Sequence, residues 1–209
     1  MTFTAEEATT LTFKQDGEIA PHKLLKSTDG VNWTKWENPS TNGISLNVGE
    51  SVYLKADEDA SWKTATGNNI CNKFGSDGKI NCYGDIRSLV KPMALEDYSW
   101  FAYKLFNACA ITNIPEIPST TLASHCYDGM FDWCKSLTTA PELPATILAD
   151  YCYSTMFSSC SSLTKAPELP ATTLANSCYN FMFGSCTSLT IAPTLPATTL
   201  VDGCYTGMF

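Results

Sequence analysis

The hydrophobic and polar positions in the second half of the chain recur with a fixed 26-residue period. Three copies are nearly identical: CYDGMFDWCKSLTTAPELPATILAD, CYSTMFSSCSSLTKAPELPATTLAN and CYNFMFGSCTSLTIAPTLPATTLVD. Their leading cysteines, and that of an incomplete fourth copy, are Cys126, Cys152, Cys178 and Cys204. A fixed period of roughly 20 to 50 residues is typical of stacked repeat proteins. The pattern therefore predicts a solenoid of about four to five 26-residue coils over residues 101–209.

Each copy divides into two parts with different patterns. In the first copy, apolar side chains recur on what would be one face of a helix: Cys126, Met130, Phe131 and Cys134. This spacing predicts a short helix at the start of each repeat. The prolines that follow exclude a helix interior, and Leu137, Ala140 and Leu143 are predicted to face inward from a short, kinked strand. A strand, a turn and a short helix within one such period correspond to the plan of a leucine-rich repeat.

Residues 1–62 follow a different pattern, with short alternating runs and no helical periodicity. The run LLKSTDGVNW predicts a β-hairpin whose turn contains Asp29 and Gly30. The run ISLNVGESVYLKA predicts a second hairpin with one buried face. Several short strands of this kind predict that this front region is a small β-sandwich of immunoglobulin-like type.

Residues 63–100 are predicted to form a junction and the N-terminal cap of the solenoid. A hairpin around the turn-forming segment GSDGK would place Cys71 opposite Cys82. Directly opposed strand residues are close enough for a disulfide, so we expect a bridge between these two cysteines. The unit at residues 101–125 is a degenerate repeat in which Phe101 replaces the leading cysteine, as expected of a capping unit.

The composition excludes several classes of protein. Apolar residues make up 44% and charged residues 16% of the chain, which excludes intrinsic disorder. The net charge of −8 and the pI near 4.7 argue against nucleic acid and anionic membranes as partners. No apolar run reaches the roughly 20 residues of a membrane span, and the first residues lack the basic and apolar regions of a signal peptide. The chain ends within a repeat, so we expect the natural array to continue beyond Phe209.

The ten cysteines leave two alternatives open. In the first, the repeat cysteines are free thiols buried in two ladders, since a free cysteine packs as a small hydrophobe. In the second, the second cysteine of each repeat bonds the first cysteine of the next: Cys109–Cys126, Cys134–Cys152, Cys160–Cys178 and Cys186–Cys204. Helical geometry favours the first, because the two positions would lie about 12 Å apart along the helix axis. We predict no metal site, since His22 and His125 are the only histidines.

Nothing in the sequence predicts an enzyme or a cofactor. No Gly-rich phosphate loop is present, and the adjacent residues His125 and Cys126 would point about 100° apart on a helix. Glu142 and Glu168 recur at one position of the repeat, so they would form a row and not a facing acid–base pair. Repetition of this kind builds a surface.

The pattern C-x-S-L-T-x-A-P-x-L-P-A-T-x-L-x-x-x-C-Y-x-x-M-F resembles the BspA-like class of bacterial leucine-rich repeats. The match covers roughly the second half of the chain, and the front domain resembles those that precede such arrays in gut Bacteroides proteins. The resemblance implies a cell-surface or secreted protein that adheres to host proteins or other bacteria. Two cysteines per repeat, and Ala-Pro where aliphatic residues are usual, depart from the class.

We therefore expect a non-enzymatic extracellular module that binds a protein or glycan on a host or bacterial cell, without inserting into the membrane. The residues that vary within the fixed frame of the repeat are predicted to form its binding face: Thr139, Glu142, Lys165, Glu168, Ile191 and Thr194. The alternative is a structural spacer, or a phage tail or receptor-binding component carried on the virion.

Overall fold

A computed structural model describes residues 1–15, 24–39, 41–57, 72–89 and 99–209. Within these residues the protein is mainly β, as predicted, and its only helix is one 3₁₀ turn at Ile86–Leu89. The strands follow in chain order: β1 (Thr2–Ala5), β2 (Thr9–Gln15), β3 (Leu24–Ser27), β4 (Thr34–Lys35), β5 (Ile44–Leu46), β6 (Ser51–Ala56), β7 (Asn72–Ser76), β8 (Ile80–Tyr83) and β9 (Ile111–Asn113).

The strands form two sheets that share one apolar core. The larger sheet has the strand order β4-β3-β6-β1-β8-β9, and the smaller has the order β5-β2-β7. Side chains alternate across a strand, so in β1 Phe3 and Ala5 are buried while Thr2 and Thr4 are partly exposed. Phe3 of the larger sheet contacts Phe74 of the smaller, with ring centroids 4.9 Å apart. The two buried faces therefore meet in a common core.

One of the two hairpins predicted for the front region is confirmed. β3 and β4 pair antiparallel, and the loop between them is closed by the Asp29 carboxylate, which accepts hydrogen bonds from the N–H groups of Val31 and Asn32. The hairpin predicted for ISLNVGESVYLKA is wrong. β5 pairs with β2 in the smaller sheet, whereas β6 pairs with β1 and β3 in the larger one. The turn between them carries the chain across the core from one sheet to the other.

The hairpin predicted around Cys71 and Cys82 is wrong for the same reason. β7 pairs with β2 and β8 pairs with β1, so the two strands lie in different sheets. Cys82 is a free, buried thiol, which contradicts the predicted disulfide, and Cys71 itself lies outside the described residues. Because β7 and β8 are strands of the two sheets, the strand pairing continues past the boundary expected at residue 62.

The first repeat is joined directly to the sheets. β9 belongs to that repeat and pairs parallel with β8, with Ile111 opposite Ile80. The Phe106 ring stacks on Phe74 at a centroid distance of 5.4 Å. A single cluster of buried residues continues from the sheets to Met208. The sheets and the repeats therefore share one core, and Tyr103 packed on Trp100 forms a separate small cluster.

Columns of aromatic rings hold successive repeats in register. One column consists of the tyrosines that follow the leading cysteines: Tyr127, Tyr153, Tyr179 and Tyr205. A second consists of phenylalanines: Phe106, Phe131, Phe157, Phe183 and Phe209. Neighbouring rings of the second column are nearly parallel, with centroids between 5.5 and 5.9 Å apart. Such stacking adds to the free energy of burial, and it is available only because the same side chain returns in every repeat.

The helices predicted at the start of each repeat are absent, and consecutive turns take their place. These segments are named the turn arms: residues 100–109, 125–134, 151–160, 177–186 and 203–208. Every fourth residue has a positive φ, as at Tyr151 (58°), Thr155 (50°) and Ser159 (59°). A right-handed helix has no place for left-handed residues at this interval. Apolar positions spaced by four, five and eight residues fit a four-residue turn as well as they fit a helix, which is why the pattern was misleading.

The backbone hydrogen bonds of a turn arm alternate between two directions. In residues 151–160, even-numbered N–H groups donate to the carbonyl three residues earlier, as Met156 does to Tyr153 at 3.3 Å. Odd-numbered N–H groups donate to the next repeat, as Tyr153 does to the carbonyl of Cys178 at 3.0 Å. The even-numbered carbonyls up to Ser158 accept from the preceding repeat in the same way, and that of Cys160 accepts from the N–H of Leu163. All peptide groups of this arm are thereby paired, as buried backbone requires.

Candidate binding surface

The residues predicted to bind a ligand lie on one face of the repeats, and all six are exposed: Thr139, Glu142, Lys165, Glu168, Ile191 and Thr194. Thr139, Lys165 and Ile191 form a parallel ladder of two bridges, from Thr139 to Lys165 and from Lys165 to Ile191. The predicted strand is reduced to these single bridges, because the prolines beside them remove N–H donors. Leu137 and Leu143 are buried as predicted.

Four of the six predicted residues line one cavity of about 530 Å³: Thr139, Glu142, Lys165 and Glu168. Pro141, Pro167 and Pro170 supply apolar walls. Ile191 and Thr194 do not line this cavity, although they continue the same two rows into the next repeat. The structure therefore brings the first four residues together and leaves the last two at the edge of the surface.

A second cavity of about 430 Å³ continues the first toward the N-terminal end of the repeats. Glu116 lines it, and Pro141 and Glu142 are common to both cavities. Together the cavities form the proline groove, whose lining residues fall within one range of each of three repeats: 114–120, 139–144 and 165–170. Glu116 is not among the predicted residues because the first repeat is degenerate. The signal was present, since NIPEIP aligns with TAPELP and Glu116 stands one full period before Glu142.

The proline groove carries a row of carboxylates. Glu116, Glu142 and Glu168 occupy the same position in successive repeats, and neighbouring strands of a ladder lie about 4.8 Å apart. Like charges at this spacing create a negative potential that attracts cations. Lys165 adds one positive charge within the groove. The groove therefore combines carboxylate acceptors, the Lys165 ammonium group and the Thr139 hydroxyl with apolar proline walls, a chemistry suited to binding.

A column of three stacked rings was not predicted and lies on the turn arms. His125 is sandwiched between Trp100 and Tyr151, with centroids 3.8 and 4.6 Å apart. Its Nδ1 lies 2.9 Å from the Asp128 carboxylate, whose pKa is raised by burial. All three rings stand at positive-φ positions, which the sequence does not reveal because their residue types differ. Cys126 is buried in the core, whereas the His125 ring stacks on Trp100 and Tyr151. Their adjacency in sequence therefore does not create a nucleophile–base pair.

All nine cysteines in the described residues are free and buried, which confirms the first alternative for the eight that belong to the repeats. In the three regular repeats the second cysteine donates its thiol to a carbonyl of the preceding repeat, as Cys160 does to Phe131 at 3.1 Å. The separation of about 12 Å along a helix axis, which disfavoured disulfides between successive repeats, does not apply, since no helix is present in the described repeats. The thiols stay apart because they stand eight residues apart in an arm and belong to different ladders. Burial raises the pKa of eight of these thiols above the ordinary value, among them Cys109 to about 11, Cys152 to about 12, Cys178 to about 11 and Cys186 to about 11.

These raised pKa values predict a loss of stability in alkaline solution. A thiol whose pKa is higher in the folded state contributes stability that is complete below the unfolded pKa of roughly 8.5 and disappears as the pH rises through the folded value. We expect the contribution of the thiols to the free energy of unfolding to be constant from pH 7 to about 8.5, and to be lost as the pH rises to 11 or 12. Urea denaturation at each pH measures it.

A Cys186→Ala variant is the control for this alkaline transition. It has one buried thiol fewer, so it should lose less stability between pH 9 and pH 11 than the parent chain, whatever its stability at pH 7. A free energy of unfolding that stays constant up to pH 11 in the parent chain would contradict the burial of the thiols.

Comparison of the chain with protein-family models, with curated proteins and with solved structures gave no match. Among the described residues, no helix has the length and apolar character needed to cross a membrane. In the same part of the chain, no three histidine, cysteine, aspartate or glutamate side chains converge where they would hold a metal ion. A function is therefore inferred from surface features such as the proline groove and the column of Trp100, His125 and Tyr151.

Proposed function

We propose that the chain is a non-enzymatic binding module that receives a protein or glycan along the proline groove. The observation that carries the proposal is the contrast between the two kinds of position in the repeat. Buried positions such as Leu137 and Leu163 are the same in each copy, whereas the exposed ladder changes from Thr139 to Lys165 to Ile191. Packing requires the same side chain at the buried positions, whereas the exposed ladder positions can vary to match a ligand.

The size and chemistry of the groove support this function. Cavities of about 530 and 430 Å³ lie within the range of roughly 300 to 1,000 Å³ that is common for ligand sites. The glutamate row would attract basic side chains of a protein or accept hydrogen bonds from the hydroxyl groups of a glycan. The proline walls would pack against the apolar parts of the same ligand.

We also propose that the repeats are a leucine-rich-repeat solenoid of the BspA-like class behind an immunoglobulin-like sandwich, on a cell surface or secreted. Bridges between Thr139, Lys165 and Ile191 and the ring columns at 26-residue intervals support a solenoid. The turn arms would replace the usual helices. Free thiols are compatible with such a location, because burial keeps Cys109 and Cys152 protonated and a protonated, buried thiol reacts slowly.

A structural spacer is the second candidate. One core runs without interruption from the sheets to the last repeat, and such continuity gives a stiff body that could hold another domain at a distance. A phage tail component would use the same property. A spacer requires no ligand, so the exposed positions of the groove would then have no effect on any binding activity.

The double variant Glu142→Lys/Glu168→Lys is expected to weaken ligand binding at least about tenfold, because it reverses two charges of the glutamate row. Arrays of glycans and of host and bacterial surface proteins, probed with the intact chain, identify the ligand, and titration then compares the variants. The control is Glu37→Lys/Asp202→Lys, which makes the same change in net charge at two exposed residues outside the groove. Equal binding by both double variants would place the site elsewhere, and no ligand on any array would favour the spacer.

A further inference from the structure

Three large aromatic side chains are exposed on the outer side of the turn arms. Trp133, Tyr151 and Phe181 have 52%, 38% and 48% of their surface accessible to solvent. Each arm that carries one of these rings is followed by another arm, so the rings are exposed within the array. Single exposed apolar residues are common, whereas several large rings on one side of a protein indicate a binding surface.

The three rings share a side because the arms are stacked in register. In the arm at residues 151–160, the positive-φ positions 151, 155 and 159 are not buried, whereas the position after each of them is. Tyr151 takes the first such position in its arm, Phe181 the second and Trp133 the third. The Trp133 N–H donates to the Ser158 carbonyl at 2.8 Å, and bonds of this kind hold neighbouring arms side by side. This surface is named the arm face: Trp133, Tyr151, Thr155, Ser159 and Phe181.

Contacts with neighbouring repeats hold two of the rings in place. One side of the Tyr151 ring stacks on His125, with the two planes only 4° from parallel. The Phe181 ring lies against the backbone of Gly207, where an added Cβ atom would collide with it. Side chains that are already ordered lose little conformational entropy when a ligand binds. The arm face is therefore organised before any ligand arrives.

The middle of the arm face carries hydroxyl groups and no charge. The arms that contain Tyr151 and Phe181 have no charged side chain. Thr155 and Ser159 occupy the remaining outward positions of the first of these arms, and both are partly exposed. Hydroxyl groups both donate and accept hydrogen bonds. The surface therefore matches a neutral ligand that is rich in hydroxyl groups.

Charged groups at the edge of the arm face already have partners. The Asp128 carboxylate accepts a hydrogen bond from the Thr155 hydroxyl at 3.0 Å, and Asp132 accepts one from a side-chain amide of the preceding repeat at 3.2 Å. The Lys135 ammonium group lies 4.9 Å from the centre of the Trp133 ring. Nucleic acid, whose bases also stack on aromatic rings, is disfavoured by the net charge of −8.

We propose that the arm face binds a neutral polysaccharide. The C–H groups of a sugar ring carry a partial positive charge, so they pack favourably against the negative faces of Trp133, Tyr151 and Phe181. The sugar hydroxyls would bond with Thr155 and Ser159. Rings from three successive repeats allow one polysaccharide chain to contact several of them at once. The arm face shares no residue with the proline groove, so it is a second site whose test does not depend on the proposed function.

Affinity electrophoresis in native gels cast with a neutral β-glucan, xylan or mannan tests the proposal. We expect at least one of these polymers to retard the intact chain, and calorimetric titration of that polymer then gives its affinity. The double variant Trp133→Ala/Tyr151→Ala should weaken binding at least about tenfold, since it removes two of the three rings. The affinity should change less than about twofold when the ionic strength rises from about 0.05 M to about 0.5 M, because no charges pair across the interface.

Phe181→Ala tests the same face without touching the stack on His125. This exposed ring contributes little to folding, and its loss should weaken binding about threefold or more. The matched control is Tyr83→Ala, which removes a ring that is 45% exposed on β8 and should leave the affinity unchanged. Circular dichroism of each variant verifies that it is folded.

Four results would overturn the proposal. They are no retardation by any of the neutral polymers, equal affinities for the parent chain and the ring variants, equal losses in Phe181→Ala and Tyr83→Ala, or binding that disappears at high ionic strength. Loss of polysaccharide binding in Glu142→Lys/Glu168→Lys alone would assign the polymer to the proline groove. That outcome would support the proposed function and refute a second site on the arm face.

Discussion

Replacement of Phe157 by alanine is expected to lower the free energy of unfolding by about 3 to 5 kcal/mol. The ring is fully buried and stacks between Phe131 and Phe183, with centroids 5.6 and 5.8 Å away. Truncation would remove both ring contacts at once. The cavity left behind cannot collapse easily, because backbone hydrogen bonds such as that from Phe157 to the carbonyl of Met182 hold the neighbouring repeats at a fixed spacing. Urea denaturation followed by circular dichroism measures the loss.

Phe181→Ala is the matched control for this variant. Phe181 belongs to the next turn arm but stands on its outer face, where 48% of the residue is exposed. Its truncation should change the free energy of unfolding by less than about 1 kcal/mol. Equal destabilisation by Phe157→Ala and Phe181→Ala, or no measurable effect of Phe157→Ala, would show that the phenylalanine column does not stabilise the repeats.

At Ser159, proline and glycine are expected to have opposite effects on stability. The residue has a φ of 59°, and its N–H donates to the carbonyl of Gly184 at 2.7 Å. Proline fixes φ near −65° and has no N–H, so Ser159→Pro should cost about 3 kcal/mol or more. Glycine adopts a positive φ without strain, so Ser159→Gly should be neutral or stabilise the protein by up to about 1 kcal/mol. Urea denaturation of the two variants beside the parent chain gives both values.

The sign of the glycine effect separates the turn arm from the helix that the sequence predicts. In the middle of a helix, glycine is less favourable than alanine by roughly 0.5 to 1 kcal/mol. A comparable loss of stability in Ser159→Gly would therefore contradict the left-handed conformation at this residue. Ser158→Gly is the reference substitution, since Ser158 lies one position earlier and has no positive φ. It should lose stability in either conformation.

Much of the candidate surface could be predicted because the repeat shows which positions are equivalent. The 26-residue period placed Glu142 and Glu168 at equivalent positions, and equivalent positions of stacked repeats must share a face. Both residues do line one cavity with Lys165. Glu116 was missed because the degenerate first repeat hides its alignment. The ring column around His125 could not be found, since no pattern joins a tryptophan, a histidine and a tyrosine.

The wrong hairpins and the wrong helices have different physical causes. Turn residues between β5 and β6 are compatible with a hairpin or with a crossing between sheets, and only the partners of each strand decide which forms. Those partners, β2 and β1, lie far away in sequence. The helix prediction for the turn arms was wrong for a local reason, because apolar residues four and five positions apart satisfy a helix and a four-residue turn equally well. Half of the arm's N–H groups are paired only by the next repeat, as Tyr153 is by Cys178.

The sequence by itself determined the mainly β class, the repeat period and the burial of the repeated cysteines, leucines and aromatic residues. These properties depend on which side chains recur, and recurrence is visible in one dimension. The tertiary structure alone decided the direction of each peptide group, the assignment of β7 and β8 to separate sheets and the fusion of sheets and repeats into one core. Each of these depends on a hydrogen-bond partner or a packing neighbour from another part of the chain, and the free energy that selects it is released only when the two parts meet.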